Sequence, residues 1–150
     1  MKNEDTATAL DLADFDTVAA SEAGAELQLI NPVTKEPLDV FITLLGKDSE
    51  TYRDYLRQNT NSRIRREAAA ARKGVDANVV TAEEIEDKAI ELLVVCSTGW
   101  RTGDKPTLTL KGETLPFTAN NALRVYTEQL WVRRQVDSFV ADLENFTVKL

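Results

Sequence analysis

The residues best placed to do chemistry in this chain are carboxylates and arginines, because the sequence contains no histidine and only one cysteine, Cys96. Histidine is the commonest general base and the commonest metal ligand. Without it neither a Ser-His-Asp nor a Cys-His arrangement can form, and a single cysteine cannot build a zinc site. Paired acids remain: Glu83 with Glu84, and Asp137 with Asp142. Two carboxylates divide acid and base roles when unlike environments push their pKa values apart. These pairs fall on polar faces of expected helices, where both members are simply solvated. Gly46-Lys47-Asp48-Ser49 ends like a phosphate-binding loop, but the upstream glycine of that motif is missing. A strand stop followed by a helix cap accounts for all four residues. No dinucleotide-binding glycine pattern and no calcium-loop pattern occurs. We therefore expect no catalytic residue, no cofactor and no metal, in a protein that is not an enzyme.

The arginines are more informative. Between Arg53 and Lys73 seven basic residues (Arg53, Arg57, Arg63, Arg65, Arg66, Arg72 and Lys73) stand against Asp54 and Glu67, a local net of +5 in a chain of net −7. A basic stripe is one requirement for binding nucleic acid. The whole chain is acidic, however, and no aromatic stacking platforms interleave with the arginines. Nucleic acid is therefore disfavoured. The plainer reading is a solvated helix face that meets an acidic partner or the chain's own acidic N-terminus. Trp100 and Trp131 are each either core residues or interface anchors, since Trp and Arg are over-represented at interface hot spots. Trp131, followed by Arg133 and Arg134, is the more interface-like. The candidate protein-interaction residues are thus Trp100, Trp131, Arg133, Arg134, Phe139, Arg63, Arg65 and Arg66.

The elements that must position these residues follow from periodicity and turn chemistry. A length of 150 residues fits one domain. Residues 1–24 are acidic and expected to be a partly flexible segment, with 1–10 loosely ordered. Within them Leu10, Leu12, Phe15 and Val18 form either a short docking element or part of a floppy terminus. Residues 25–150 are expected to fold as a single α+β domain: an N-terminal antiparallel β-hairpin followed by a mainly helical body. Strands over Ala25–Ile30 and Leu38–Leu45 flank the turn formers Asn31 to Pro37. Gly46 stops the second strand. A helix then starts at Asp48 or Ser49 and runs to Arg72 or Lys73, with Gly74 as its stop. The stretch Asn59-Thr60-Asn61-Ser62 invites a kink or fraying inside it.

Residues 75–80 read as a link. Thr81-Ala82-Glu83-Glu84 is a capping box. The helix behind it carries Ile85, Ala89, Leu92 and Cys96 as one stripe, widened by Ile90, Leu93, Val94 and Val95, and is expected to be the most buried helix. Thr98 to Pro106 reads as a loop. A second small hairpin is expected near residues 107–117, with strands Thr107–Leu110 and Thr114–Phe117 around Lys111-Gly112-Glu113. Thr118 caps a last helical region with a break near Leu130, closed by Asn145-Phe146. No apolar run approaches the roughly 20 residues that span a bilayer. The opening Met1-Lys2-Asn3-Glu4-Asp5 is not followed by the apolar stretch of a secretory signal. Neither export nor membrane association is expected, and one cysteine fits a reducing compartment.

Several stretches together carry a family likeness. Leu44-Leu45-Gly46-Lys47-Asp48-Ser49-Glu50-Thr51-Tyr52-Arg53 follows a strand–turn–strand built on Asn31-Pro32-Val33-Thr34-Lys35-Glu36-Pro37-Leu38. Near the end come Asn121-Ala122-Leu123, then Trp131-Val132-Arg133-Arg134-Gln135-Val136-Asp137, then Asn145-Phe146, with Gly99-Trp100 between. From about residue 25 to 146 this pattern resembles the small tail proteins of siphophages known as tail assembly chaperones. The resemblance implies a non-catalytic protein that binds the tape measure protein, keeps its long apolar helices soluble and helps recruit tail tube protein. It implies action in the host cell cytoplasm during phage assembly and absence from the mature virion. The broad apolar faces of the later helices would serve such a client, or self-association. The alternative is a structural virion component, a tail or head-completion protein retained in the particle.

Overall fold

A computed structural model of the chain describes residues 9–75 and 80–146. Most of the stretch expected to be loosely ordered at 1–10, and most of the link at 75–80, lie outside the described residues. The fold is α+β and opens its sheet with the expected N-terminal hairpin. Strand β1 (Ala25–Ile30) pairs antiparallel with β2 (Pro37–Leu44), Leu27 facing Ile42 across the ladder. Asn31 shapes the connection: its side-chain oxygen accepts the N–H groups of Val33 and Thr34 at 2.9 and 3.1 Å, and its own N–H donates to the Glu36 carbonyl. Such side-chain turns are why asparagine favours these positions.

A third strand, β3 (Ser97–Thr102), pairs antiparallel with the other edge of β2, placing Trp100 opposite Ile42 and Arg101 opposite Phe41. This corrects the expected loop over 98–106. Gly99 in the middle weakens the strand pattern, and no turn former separates strand from helix: the preceding helix ends at Cys96 and the strand begins at Ser97. What decides the matter is the backbone of β2, whose second edge needs partners once the strand is buried. The second hairpin, β4 (Thr107–Leu110) with β5 (Glu113–Pro116), is present. Its two-residue turn has Lys111 at φ 50° and Gly112 at φ 82°, the left-handed pair that matches the twist of the flanking strands.

Among the described residues there are five α-helices: α1 (Thr17–Ala23), α2 (Glu50–Arg72), α3 (Ala82–Cys96), α4 (Ala119–Glu128) and α5 (Leu130–Ala141). Short 3-10 turns lie at Leu12–Phe15 and Leu143–Phe146. Side-chain oxygens of Asp16, Ser49, Thr81 and Thr118 cap α1 to α4 by accepting backbone N–H groups of Ala19, Tyr52, Glu84 and Asn121. Each cap contributes about 1 kcal/mol. Helix α2 runs unbroken through Asn59–Ser62, because Thr60, Asn61 and Ser62 are exposed to water and leave the backbone ladder intact. Gln129 alone separates α4 from α5, the break expected near Leu130.

The core lies between one face of the β1–β2–β3 sheet, the β4–β5 hairpin and the inner faces of α3, α4 and α5. It joins Leu29, Ile42, Leu44 and Trp100 to Ile90, Leu93, Cys96, Val125, Tyr126, Val132, Val136 and Val140. A small polar chain runs through it. The Ser97 hydroxyl donates to the Leu93 carbonyl at 2.7 Å, so the Tyr126 hydroxyl, 2.6 Å away, must donate to Ser97. Burial pushes the Tyr126 phenol and the Cys96 thiol each up to about 12; Cys96 is therefore a packing residue, not a nucleophile.

Helix α3 departs from expectation. Its buried residues are Ile90, Leu93 and Cys96, while Ile85 is 61% exposed and every residue from Ala82 to Ala89 faces water. It is not the most buried helix: α4 and α5 each bury three residues in a shorter span. Its first half has left the sheet and runs beside α2, so burial begins only at Ile90. The N-terminal segment docks, but through polar groups. Thr17 donates to the Asp48 carboxylate, Thr51 donates to Glu22, and the Gly46 N–H donates to the Ser21 carbonyl. Its apolar residues Leu10, Leu12, Phe15 and Val18 stay exposed.

Candidate protein-interaction surfaces

The eight candidate residues fall in five places. Trp100 is core. It is 5% exposed, donates its indole N–H to the Leu115 carbonyl at 3.1 Å and meets Phe117 edge to face at 5.1 Å. This corrects its reading as an interface anchor: the side chain has no surface left to offer, and its work is to tie β3 to the second hairpin.

Trp131 is different. Its ring is half-buried against the core and walls an apolar pocket of about 330 Å³. Leu29, Leu108, Leu110, Val125 and Val132 form the rest of the interior, and Lys111 and Gln129 stand among the lining residues. The Lys111 ammonium is paired with Glu128 at 3.0 Å, which holds that carboxyl below its ordinary range and leaves the mouth close to neutral. The pocket lies where α4 and α5 part at Gln129, beside the β4–β5 hairpin, which is tied to β3 through Trp100–Leu115 and Thr102–Thr107.

Arg133 reaches α3, where its guanidinium meets Glu86 at 3.0 Å with only 17% of the side chain exposed. It is a tie between helices. Arg134 is exposed and has no ion-pair partner among the described residues. With Ile30, Gln135 and Phe139 it borders a shallow surface beside the β1 edge. Phe139 is half-buried and packs edge-on against Phe146 at 5.4 Å.

Arg63, Arg65 and Arg66 stand together on the exposed half of α2. No residue of that helix is buried. Arg63 approaches Glu67 at 3.9 Å, Arg65 donates to Ser62, and Arg66 has no partner among the described residues. Beyond the core, α2 and the first half of α3 form an arm, with a groove of about 380 Å³ between them lined by Arg63, Arg66, Val80, Glu84, Ile85 and Lys88 among others.

The remaining sequence candidates do not assemble into a reactive site. Glu83, Glu84, Asp137 and Asp142 are all exposed. In Gly46–Ser49 three of the four backbone donors are spent: the Gly46, Lys47 and Ser49 N–H groups go to Ser21, Val140 and Gly46 carbonyls. A phosphate would find no cradle there. Among the described residues no group of three or more potential ligands is placed to hold a metal ion, and no helix is long and apolar enough to cross a membrane.

Two arrangements escaped sequence reasoning. Gln135 imitates a strand: its amide oxygen accepts the Ile30 N–H at 2.9 Å and its amide N–H donates to the Ile30 carbonyl at 2.8 Å, covering part of the β1 edge. Such cover guards an edge against stray pairing. Its signal is the glutamine of the Trp-x-Arg-x-Gln-Val-Asp stretch. On the open face of the sheet, Glu26 of β1 takes two hydrogen bonds from Arg101 of β3, at 2.8 and 2.9 Å, over the intervening strand. Arg101 lies 3.9 Å above the Phe41 ring. Its hydrogen bonds hold the Glu26 carboxyl below its ordinary value of 4.5. No sequence signal couples residues so far apart. Compared with known proteins, the chain matches no family model, no curated protein and no solved structure.

Proposed function

We propose that this chain is a non-catalytic tail assembly chaperone of a long-tailed bacteriophage, which binds the tape measure protein and promotes assembly of the tail tube. The likeness of its sequence motifs supports the family. The observation that carries the reading onto this molecule is the Trp131 pocket: an apolar recess of about 330 Å³, floored by core side chains and free of net charge at its mouth. A tape measure protein of long apolar helices supplies matching side chains. Seating one large apolar side chain is worth about 1.5–3 kcal/mol. That is enough to favour a client and weak enough to release it when tube subunits compete. The chaperone acts in the host cytoplasm and leaves before the particle is finished.

Co-expression with the tape measure protein of the same phage tests this. Tape measure protein should become soluble and co-purify, Trp131→Ala should reduce the recovered complex at least several-fold, and finished virions should lack the chain. Recovery of the chain from purified particles, with no tape measure association, assigns it instead to the virion as a structural component.

A further inference from the structure

Strand β1 lies at the edge of its sheet, with β2 on one side and no strand on the other. Ile30 turns its N–H and carbonyl outward to the Gln135 amide. Strand alternation turns the backbone groups of Gln28 and Glu26 the same way. The facing strand agrees: the Thr43 carbonyl, across from Glu26, accepts from Thr98 on the β3 side. On this outer edge the Gln28 and Glu26 N–H and carbonyl groups have no partner among the described residues. Their side chains are engaged elsewhere, Gln28 donating to the Leu38 carbonyl and Glu26 accepting from Arg101. Two residues therefore offer bare backbone at the spacing of a strand.

A groove of about 520 Å³ runs beside that edge, between β1 and α5. The helix follows the strand in the opposite direction. Gln135 meets Ile30 at one end; at the other the Val140 carbonyl takes the N–H of Lys47, just past the Leu44 that pairs with Ala25. Leu27, Ile30 and Phe139 make part of the groove apolar, and Arg134, Lys35 and Asp142 border it. Arg134 is exposed and has no ion-pair partner among the described residues.

The group already seated on this edge names the occupant. A glutamine side chain ends in an amide, with the same carbonyl acceptor and N–H donor as a peptide bond. The Gln135 amide makes both bonds to Ile30, at 2.9 and 2.8 Å, that an added strand would make. We propose that the free edge of β1 binds an extended peptide segment of a partner protein as a fourth strand. The segment places an apolar residue against Leu27 and Phe139 and an acidic residue at Arg134, and Gln135 fills the slot where pairing stops. In such strand addition the main-chain bonds give affinity and the side-chain groove gives choice. The groove shares no lining residue with the Trp131 pocket, so this contact stands apart from the client binding proposed above.

Fluorescence polarisation of the full chain with a labelled, capped peptide tests the proposal. The probe alternates valine and threonine, with one valine replaced by glutamate. Wild type should bind it with a Kd below about 1 mM. Two further probes carry N-methyl groups on the backbone amides of one edge or the other, which removes donors and leaves side chains unchanged. One of them should lose binding and the other keep it. Gln135→Ala bares Ile30 and lengthens the edge from two residues to three, so it should bind the probe about threefold tighter or more. Arg134→Glu should bind it about threefold weaker or more and should prefer a probe with lysine in place of the glutamate. Circular dichroism confirms that both variants are folded. No binding by wild type, equal binding of the two N-methylated probes, or a folded Gln135→Ala that binds no tighter than wild type would each overturn the proposal.

Discussion

Gly46 has no room for a side chain. A Cβ there would sit 2.5 Å from the Ser21 hydroxyl and 2.9 Å from the Phe146 ring. At this point α1, the strand-to-helix turn and the C-terminal 3-10 turn converge, so one glycine lets three separate segments touch. Gly46→Ala should cost about 1–3 kcal/mol through overpacking, read as a lower midpoint in urea. Ser21 stands beside it with a buried hydroxyl that has no hydrogen-bond partner among the described residues. An unsatisfied buried group carries a desolvation penalty. Ser21→Ala should therefore leave stability unchanged or raise it by up to about 1 kcal/mol, an effect opposite to that of its neighbour.

The Tyr126 hydroxyl does have a partner, and Tyr126→Phe should cost about 1 kcal/mol. Glu26 gives a pH signature. Its folded-state pKa lies below 4.5 because Arg101 hydrogen-bonds it. Its contribution is thus fully present above about pH 4.5 and disappears as pH falls through the depressed folded value. Glu26→Gln should be less stable than wild type at neutral pH and lose less stability on acidification. Equal acid sensitivity in the two proteins would contradict that role.

The elements divide into those that announce themselves and those the assembly imposes. β1, β2, α2, α4, α5 and the second hairpin carry their own signals: alternation in Leu38 to Leu44, the Ser49 cap, the Thr118 cap and the Lys111-Gly112 turn. β3 carries almost none, because Gly99 interrupts it and its reason for existing is an unpaired edge elsewhere. α3 shows the limit of periodicity. The stripe through Ile85 is a genuine helical period, yet the sheet ends before Ile85 can be covered. A pattern of this kind tells which face of a helix is apolar and not where along its length the core stops. The same limit separates Trp100 from Trp131: both are tryptophans in apolar surroundings, and only the fold puts one under a hairpin and the other at the wall of an open pocket. For α3 the consequence is measurable. Ile85→Ser should shift stability by no more than about 0.5 kcal/mol, as for an exposed site. Leu93→Ala, eight residues along the same helix, should cost about 2–5 kcal/mol.

Across the whole molecule, charge and apolar surface are sorted rather than mixed. A chain of net −7 concentrates positive charge on one projecting helix and keeps its apolar pocket close to neutral. Among the described residues the shifted carboxyls are Glu26 and Glu128, each paired with a cation at the surface. In the function proposed above, the pocket beside Trp131 is the surface that meets an apolar client. The most direct test of the central claim is co-expression of wild type and Trp131→Ala with the tape measure protein, measuring soluble tape measure protein recovered per chaperone. The account predicts efficient recovery with wild type and at least a several-fold loss with the variant, at unchanged chaperone solubility. Equal recovery with both, or none with either, would contradict it.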